Sequence, residues 1–294
     1  MTQRSLFVAT APLLFVVIWS TGWIVAKFAS FDAEPLTFLV VRFLGALAVL
    51  VPLAVATGGA WPRGRTAVAH ALISGVLLHG IYLGGVWWAI AHGVPAGLSA
   101  VIAALQPLMT AALAPLVSQE RLGWRRTLGF VVGFVGIVVV VWPKLAGLSG
   151  PALADALVPL TVNVAAMAAV TAGTFWQKQF VPTGGLLPIA VVQYVGALLV
   201  AVPAALVLEH LHFDVGLRSL LTLGWSVLGL SIGAIALLLH LIRCGEVSRA
   251  AALIYLVPPT AALEAWFFFG ETLGMVQVLG MVVTACGVAL ANRA

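Results

Sequence analysis

Charged side chains are nearly missing from this chain. Its 14 Lys and Arg and 9 Asp and Glu make up 8% of 294 residues, where a soluble domain carries about 25%. So few charges cannot cover the surface of a water-soluble globule of this length. Cysteine is scarcer still. Cys244 and Cys286 lie in different expected helices with no local partner spacing, which speaks against a disulfide framework or a metal site and for small core thiols. No G-x-x-x-x-G-K-[ST] loop, H-E-x-x-H pair or Ser–His–Asp spacing is present. The chain is therefore expected to be no enzyme and to hold no metal and no cofactor.

What the chain does have is apolar length: 63% of its residues are hydrophobic. Apolar runs between charges, Pro and Gly give ten expected spans, at 7–28, 35–56, 67–90, 96–117, 124–142, 155–177, 186–208, 218–241, 248–269 and 273–291. At ~21 residues each, ten helices leave only short loops, with no room for a soluble catalytic or nucleotide-binding domain. The first span lacks a small-residue cleavage site and reads as a retained helix. The predicted fold class is thus an all-α integral membrane protein.

The net charge of +5 reads as topology and not as a nucleic-acid footprint. With the N-terminus inside, Arg4, Arg63, Arg65, Arg121, Arg125, Arg126, Lys178, Arg243, Arg249 and Arg293 fall inside, against Lys27, Lys144 and Arg218 outside. Both termini are expected to be cytoplasmic.

The stretch from Gly93 through Pro107 to Glu120 reads like that from Gly245 through Pro259 to Glu271. An offset of 152 aligns Gly93 with Gly245 and Pro107 with Pro259. An offset of 151 aligns Glu120 with Glu271, Gly129 with Gly280 and Gly136 with Gly287, and upstream Lys27 with Lys178 and Gly45 with Gly196. Five spans per half is an odd number, so the halves, 1–144 and 145–294, are expected to enter the membrane from opposite sides. Inverted repeats are a recurring device of secondary transporters, because exchange of conformation between the halves opens one site to each side in turn. Pro107 in span 4 and Pro258 and Pro259 in span 9 lie near mid-span. Each removes an N–H and crowds the carbonyl four residues back, those of Ala103, Ile254 and Tyr255. Such paired breaks point to a central site, with these prolines as helix breaks for gating.

The pattern of small residues, a mid-helix proline, an apolar run, a glutamate and a Gly-rich following span resembles the EamA-type carriers of the drug/metabolite transporter superfamily, over Gly93–Val141 and Gly245–Ala291 in particular. Overall, the chain is similar to the aromatic amino-acid exporters of the YddG type. The resemblance implies a multi-pass bacterial inner-membrane exporter, monomeric or homodimeric, whose cavity is lined largely by helices 1, 3, 4, 6, 8 and 9. Its partners would be the lipid bilayer and a small-molecule substrate, aromatic amino acids or related metabolites. Other small metabolites, or cationic drugs exchanged for protons, are the alternative cargo.

Ionisable groups inside spans are functional candidates because they are costly there. His79 and Tyr82 are three residues apart on one face of span 3 and suit hydrogen bonding and ring stacking with a substrate. Trp19 and Trp23, one turn apart in span 1, would form an aromatic wall. Ser99, Gln106 and Thr110 form a polar stripe in span 4, and Asn163, Met167 and Thr174 do so in span 6. Tyr255 is the counterpart from the second half. Glu264, nine residues on, points about 180° away and is expected to meet a structural cation, with proton coupling through it or His79 as the other role. Arg42, matched by Gln193 in the other half, reads as a structural anchor in preference to a substrate carboxylate clamp. His240, near Arg243, suits a surface or gate role. Trp87 and Trp88 are expected in the interfacial aromatic belt.

Overall fold

A computed structural model describes residues 3–118, 123–181, 184–234, 237 and 256–292. Among them there is no strand, only an isolated antiparallel bridge between Ala33 and Phe213. We number the helices α1 (Gln3–Ala29), α2 (Pro35–Ala56), α3 (Arg65–Ala91), α4 (Ala96–Ile102, resuming as Leu105–Ser118), α5 (Trp124–Leu145), α6 (Gly150–Phe180), α7 (Leu186–Leu208), α8 (Leu217–Ala234), α9 (Val257–Phe269) and α10 (Met275–Asn292). Helices α2 to α8 are long and apolar enough to cross a membrane. Shorter apolar stretches, Leu13–Ala29 and Met275–Ala291, lie in α1 and α10. Large apolar side chains such as Leu199, Val207, Phe267 and Leu279 point outward, as a hydrocarbon solvent allows. Cys286 is exposed and unpaired, and Cys244 lies outside the described residues.

Helix ends follow local chemistry. Pro35 opens α2 in the first turn, where a missing N–H costs nothing, and Pro258 and Pro259 do the same for the described part of α9. Gly270, left-handed at φ 66°, ends α9. Within α4 the helix breaks at Ala103 and Ala104. There the carbonyl of Ala103 is met by the Gln106 N–H at 3.1 Å, a tightened turn that offsets the bond lost to Pro107. The carbonyls of Ile254 and Tyr255 lie outside the described residues.

Two helices carry wider, π-type turns that composition did not foretell: Val76–Ile81 within α3 and Trp225–Ala234 within α8. Such turns insert one residue per turn and cluster at functional sites. In the second, the Ser231 hydroxyl reaches back five residues to the Ser226 carbonyl at 3.1 Å.

With no water to expel between helices in lipid, close backbone approach through small residues does the joining. A Cβ on Gly196 of α7 would lie 2.3 Å from the Leu72 carbonyl oxygen of α3. The most extensive pair is α5 with α10, where Gly129, Gly133 and Gly136 face Ala291, Gly287, Thr284 and Gly280 in antiparallel order. At one end of the molecule, polar contacts lace the loops together. Arg218 grips the carboxylate of Asp32 through Nε at 2.7 Å and through Nη2, and Glu34 accepts the N–H groups of His210 and His212 at 2.9 and 2.8 Å. Glu209 accepts those of Leu36 and Thr37 at the start of α2, and Lys144 donates to the Gly93 carbonyl at 2.7 Å. The α2–α3 loop meets the α6–α7 loop separately, through Gly185 N–H to the Ala60 carbonyl.

Candidate functional site

The break in α4 and the proline-led start of α9 flank a cavity of about 820 Å³. Its walls come from α1 (Trp19, Trp23), α3 (Tyr82), α4 (Ala100, Ala103, Gln106, Pro107), α6 (Val170), α9 (Pro258, Pro259, Ala262) and α10 (Met281, Thr284, Ala285). The surface is overwhelmingly apolar, with Gln106, Tyr82, Thr284 and Glu271 among its polar points. Small residues on α4 leave the volume, and the tryptophans and Tyr82 supply flat walls for an apolar or aromatic ligand.

Of the residues singled out in the sequence, Trp19, Trp23, Tyr82, Gln106, Pro107, Pro258 and Pro259 meet around this cavity. The Trp23 indole N–H is buried without a partner. His79 lies instead against α7, its ring stacked on Tyr194 with centroids 4.9 Å apart. Ser99 and Asn163 are fully buried and meet each other, Asn163 Nδ2 donating to Ser99 Oγ at 2.7 Å, a link between α4 and α6. Met167 is buried in the core, and Thr110 turns its hydroxyl back to the Gln106 carbonyl at 2.8 Å. Tyr255, His240 and Glu120 lie outside the described residues.

Glu264 meets a hydroxyl where a cation was expected. Ser20 of α1 donates to its Oε1 at 2.7 Å, and its buried Oε2 has no partner. Trp87, expected in the interfacial belt, is 2% exposed and packs on Phe38 and over the Arg42 guanidinium, because its face of α3 turns inward onto α2. Trp88 stacks on His92.

Sequence reasoning missed the contribution of α10 and of Glu271. The Glu271 carboxylate borders the cavity and accepts the Ala96 and Gly97 N–H groups, both at 3.1 Å, so it caps α4 from the α9–α10 loop. Its alignment with Glu120 was the available signal. At the laced end, the bond from Arg218 holds the Asp32 carboxyl below the usual range, and the His212 and His210 N–H groups do the same for Glu34. Among the described residues no cluster of His, Cys, Asp and Glu could hold a metal ion.

Apolar helices, several of membrane length, around an apolar cavity beside a proline-linked helix break are the parts of a carrier. The EamA-like transporter family matches the chain twice, over residues 6–142 and 159–293. The chain belongs to the EamA-like transporter family. It is a multi-pass membrane transporter and not an enzyme. The inner membrane transporter YedA of Escherichia coli strain K12, itself called uncharacterized, is 26% identical over 273 residues, covering 92% of this chain and 86% of the relative. A probable amino-acid metabolite efflux pump of Salmonella typhimurium is 26% identical over 98% of this chain and 94% of its own length. The transporter YvbV of Bacillus subtilis, also called uncharacterized, is 24% identical over 96% and 91%. One crystal structure of a protein aligns with a TM-score of 0.64 at 16% identity over 97% of this chain and 96% of that one, a likeness of fold.

Proposed function

We propose that this EamA-family transporter exports amino acids, aromatic ones foremost, across the bacterial inner membrane by alternating access. In this reading ten spans form two inverted five-helix repeats, residues 1–144 and 145–294, with both termini cytoplasmic. The observation that carries it is the cavity itself: apolar, about 820 Å³, walled by Trp19, Trp23 and Tyr82 and set against the break in α4 beside Pro107 and the proline-led first turn of the described part of α9. Binding and gating are the whole chemistry; no bond is made or broken. The α5–α10 contact supports inversion. Gly129 meets Gly287 and Gly136 meets Gly280, and the 151-residue offset exchanges these two contacts. The Salmonella relative named an amino-acid metabolite efflux pump supports the substrate class, and the flat walls of Trp19, Trp23 and Tyr82 support the aromatic preference.

Substrate-facing roles are assigned to Trp19, Trp23, Tyr82 and Gln106. Thr110, bonded to the Gln106 carbonyl, is assigned a supporting role, as are His79, Ser99, Asn163 and Met167. The test is tryptophan counterflow in liposomes with Trp23→Ala and Tyr82→Ala, each checked for folding by gel filtration. A drop of about tenfold in rate, as expected for lost aromatic contacts, supports the site; rates equal to the parent protein's remove it.

A second reading, export of cationic drugs for protons, is favoured by one observation: the half-buried Glu264 carboxyl keeps one buried oxygen, Oε2, unpartnered. Ethidium efflux that depends on Glu264, with amino-acid flux that does not, would establish this reading in place of the first.

A further inference from the structure

Arg42 of α2 is 6% exposed, in mid-span. A guanidinium has five N–H donors and no means of losing its charge in a protein. Here Nη2 has one long contact, 3.4 Å to Ser231 Oγ, and Nε is buried with no partner. One face rests on the Trp87 ring at 5.4 Å, which leaves the donor edge unanswered. No carboxylate pairs with it among the described residues. A lone charge in hydrocarbon is kept only where something offsets its cost.

The other half shows what a structural anchor at this position looks like. Gln193 of α7 is equally buried, and its Nε2 donates to Ser74 Oγ at 2.9 Å and to Gln177 Oε1 at 3.2 Å. A neutral amide there bonds well to α3, just before its π-type turn. On the Arg42 side the contact falls on the other π-type turn, at Ser231, and the donors exceed what the protein supplies. The surplus is a charge and a two-pronged donor, the geometry that fits a carboxylate.

The surroundings fit the same ligand. Tyr82 and Tyr194 lie within electrostatic reach of the guanidinium, as does His79, stacked on Tyr194. Of these neighbours Tyr82 also lines the cavity, so it links the surroundings of the guanidinium to the space that would hold the apolar part of a ligand.

Resting on the amino-acid reading above, we propose that Arg42 is the subsite for the substrate's carboxylate, flanked by Tyr82 and Tyr194, while the cavity takes its side chain. The ligand's anion is the missing partner of the guanidinium. The fork reads an anion, so the site discriminates against amides and amines, and the apolar cavity beside it favours an organic acid over inorganic phosphate.

The test measures thermal shifts of the purified protein with phenylalanine, phenylalaninamide, benzoate and inorganic phosphate, for the parent and Arg42→Gln. The expected result is stabilisation of the parent by phenylalanine and benzoate but not by the amide, with affinity for both acids weakened at least about tenfold in the variant. Arg42→Lys keeps the charge and loses the fork. It is expected to bind the acids with intermediate affinity, and it gives the same readout should Arg42→Gln not fold. Stabilisation by benzoate alone, lost in the variant, upholds Arg42 while overturning the amino-acid reading. Acid binding undiminished in a folded variant, phosphate as the preferred ligand, or no shift with either acid overturns the proposal.

Discussion

A Cβ built on Gly136 of α5 would stand 2.8 Å from the carbonyl oxygen of Gly280 on α10, and one built on Gly280 would stand 2.9 Å from that of Gly136. Each residue forbids a side chain on the other. The reciprocal contact recurs between Gly129 and Gly287, so the α5–α10 crossing is self-complementary about a point between the two glycine pairs.

Gly287→Ala is accordingly expected to destabilise the folded protein by about 1–3 kcal/mol, the usual cost of forcing extra atoms into a packed interface. Its added Cβ would meet Gly133 backbone atoms at 2.2 and 2.5 Å. Gly22→Ala, inside α1 and meeting nothing within 4 Å, is the control and is expected to leave the melting midpoint in detergent unchanged or slightly raised.

Ser20→Ala leaves neither oxygen of the Glu264 carboxyl with a hydrogen-bond partner, at a cost of about 1–3 kcal/mol. Glu264→Gln keeps an acceptor for Ser20 and is expected to melt close to the parent. Replacing both partners, as Ser20→Ala with Glu264→Leu, is expected to recover stability relative to Ser20→Ala alone. Failure of the double variant to recover would place the cost elsewhere.

Much of this architecture could be read in the chain. The apolar runs at 35–56 and 186–208 became α2 and α7, and Pro107 marked a real break, displaced to Ala103 and Ala104. The π-type turns could not be read, because they shift hydrogen-bond register without changing composition. Nor could the inward turn of Trp87, since lipid-facing and core-facing sides of α3 are both apolar and leave no polar stripe to orient it. Ser99 and Asn163 each looked like a cavity lining because the sequence shows a polar residue but not its partner one helix away. The wall given by α10 was hidden for the same reason as Trp87: between Gln277 and Asn292 its residues are small or apolar on every side.

Glu271→Ala removes the acceptor for the Ala96 and Gly97 N–H groups and the negative charge at the start of α4. Faster hydrogen exchange at these two amides is expected, with helix α6 unaffected. Unchanged protection would show that the cap does not hold α4.

The laced end makes stability depend on pH in a defined direction. Asp32 and Glu34 titrate lower in the folded protein than in the unfolded chain, where the values are about 3.9 and 4.3. Their contribution is therefore complete above those values and is lost as pH falls through the lower folded ones. The melting midpoint is expected to drop on acidification below about pH 4, and to drop less in Asp32→Asn with Glu34→Gln. Equal acid sensitivity in that variant would assign the effect to other groups.

Transport of amino acids through the cavity beside the α4 break is tested most directly by counterflow into proteoliposomes preloaded with unlabelled substrate, across a panel of labelled amino acids. Accumulation of labelled phenylalanine and tryptophan above the rest of the panel, abolished in empty liposomes, is the predicted result. Exchange of another metabolite with none for any amino acid would contradict it.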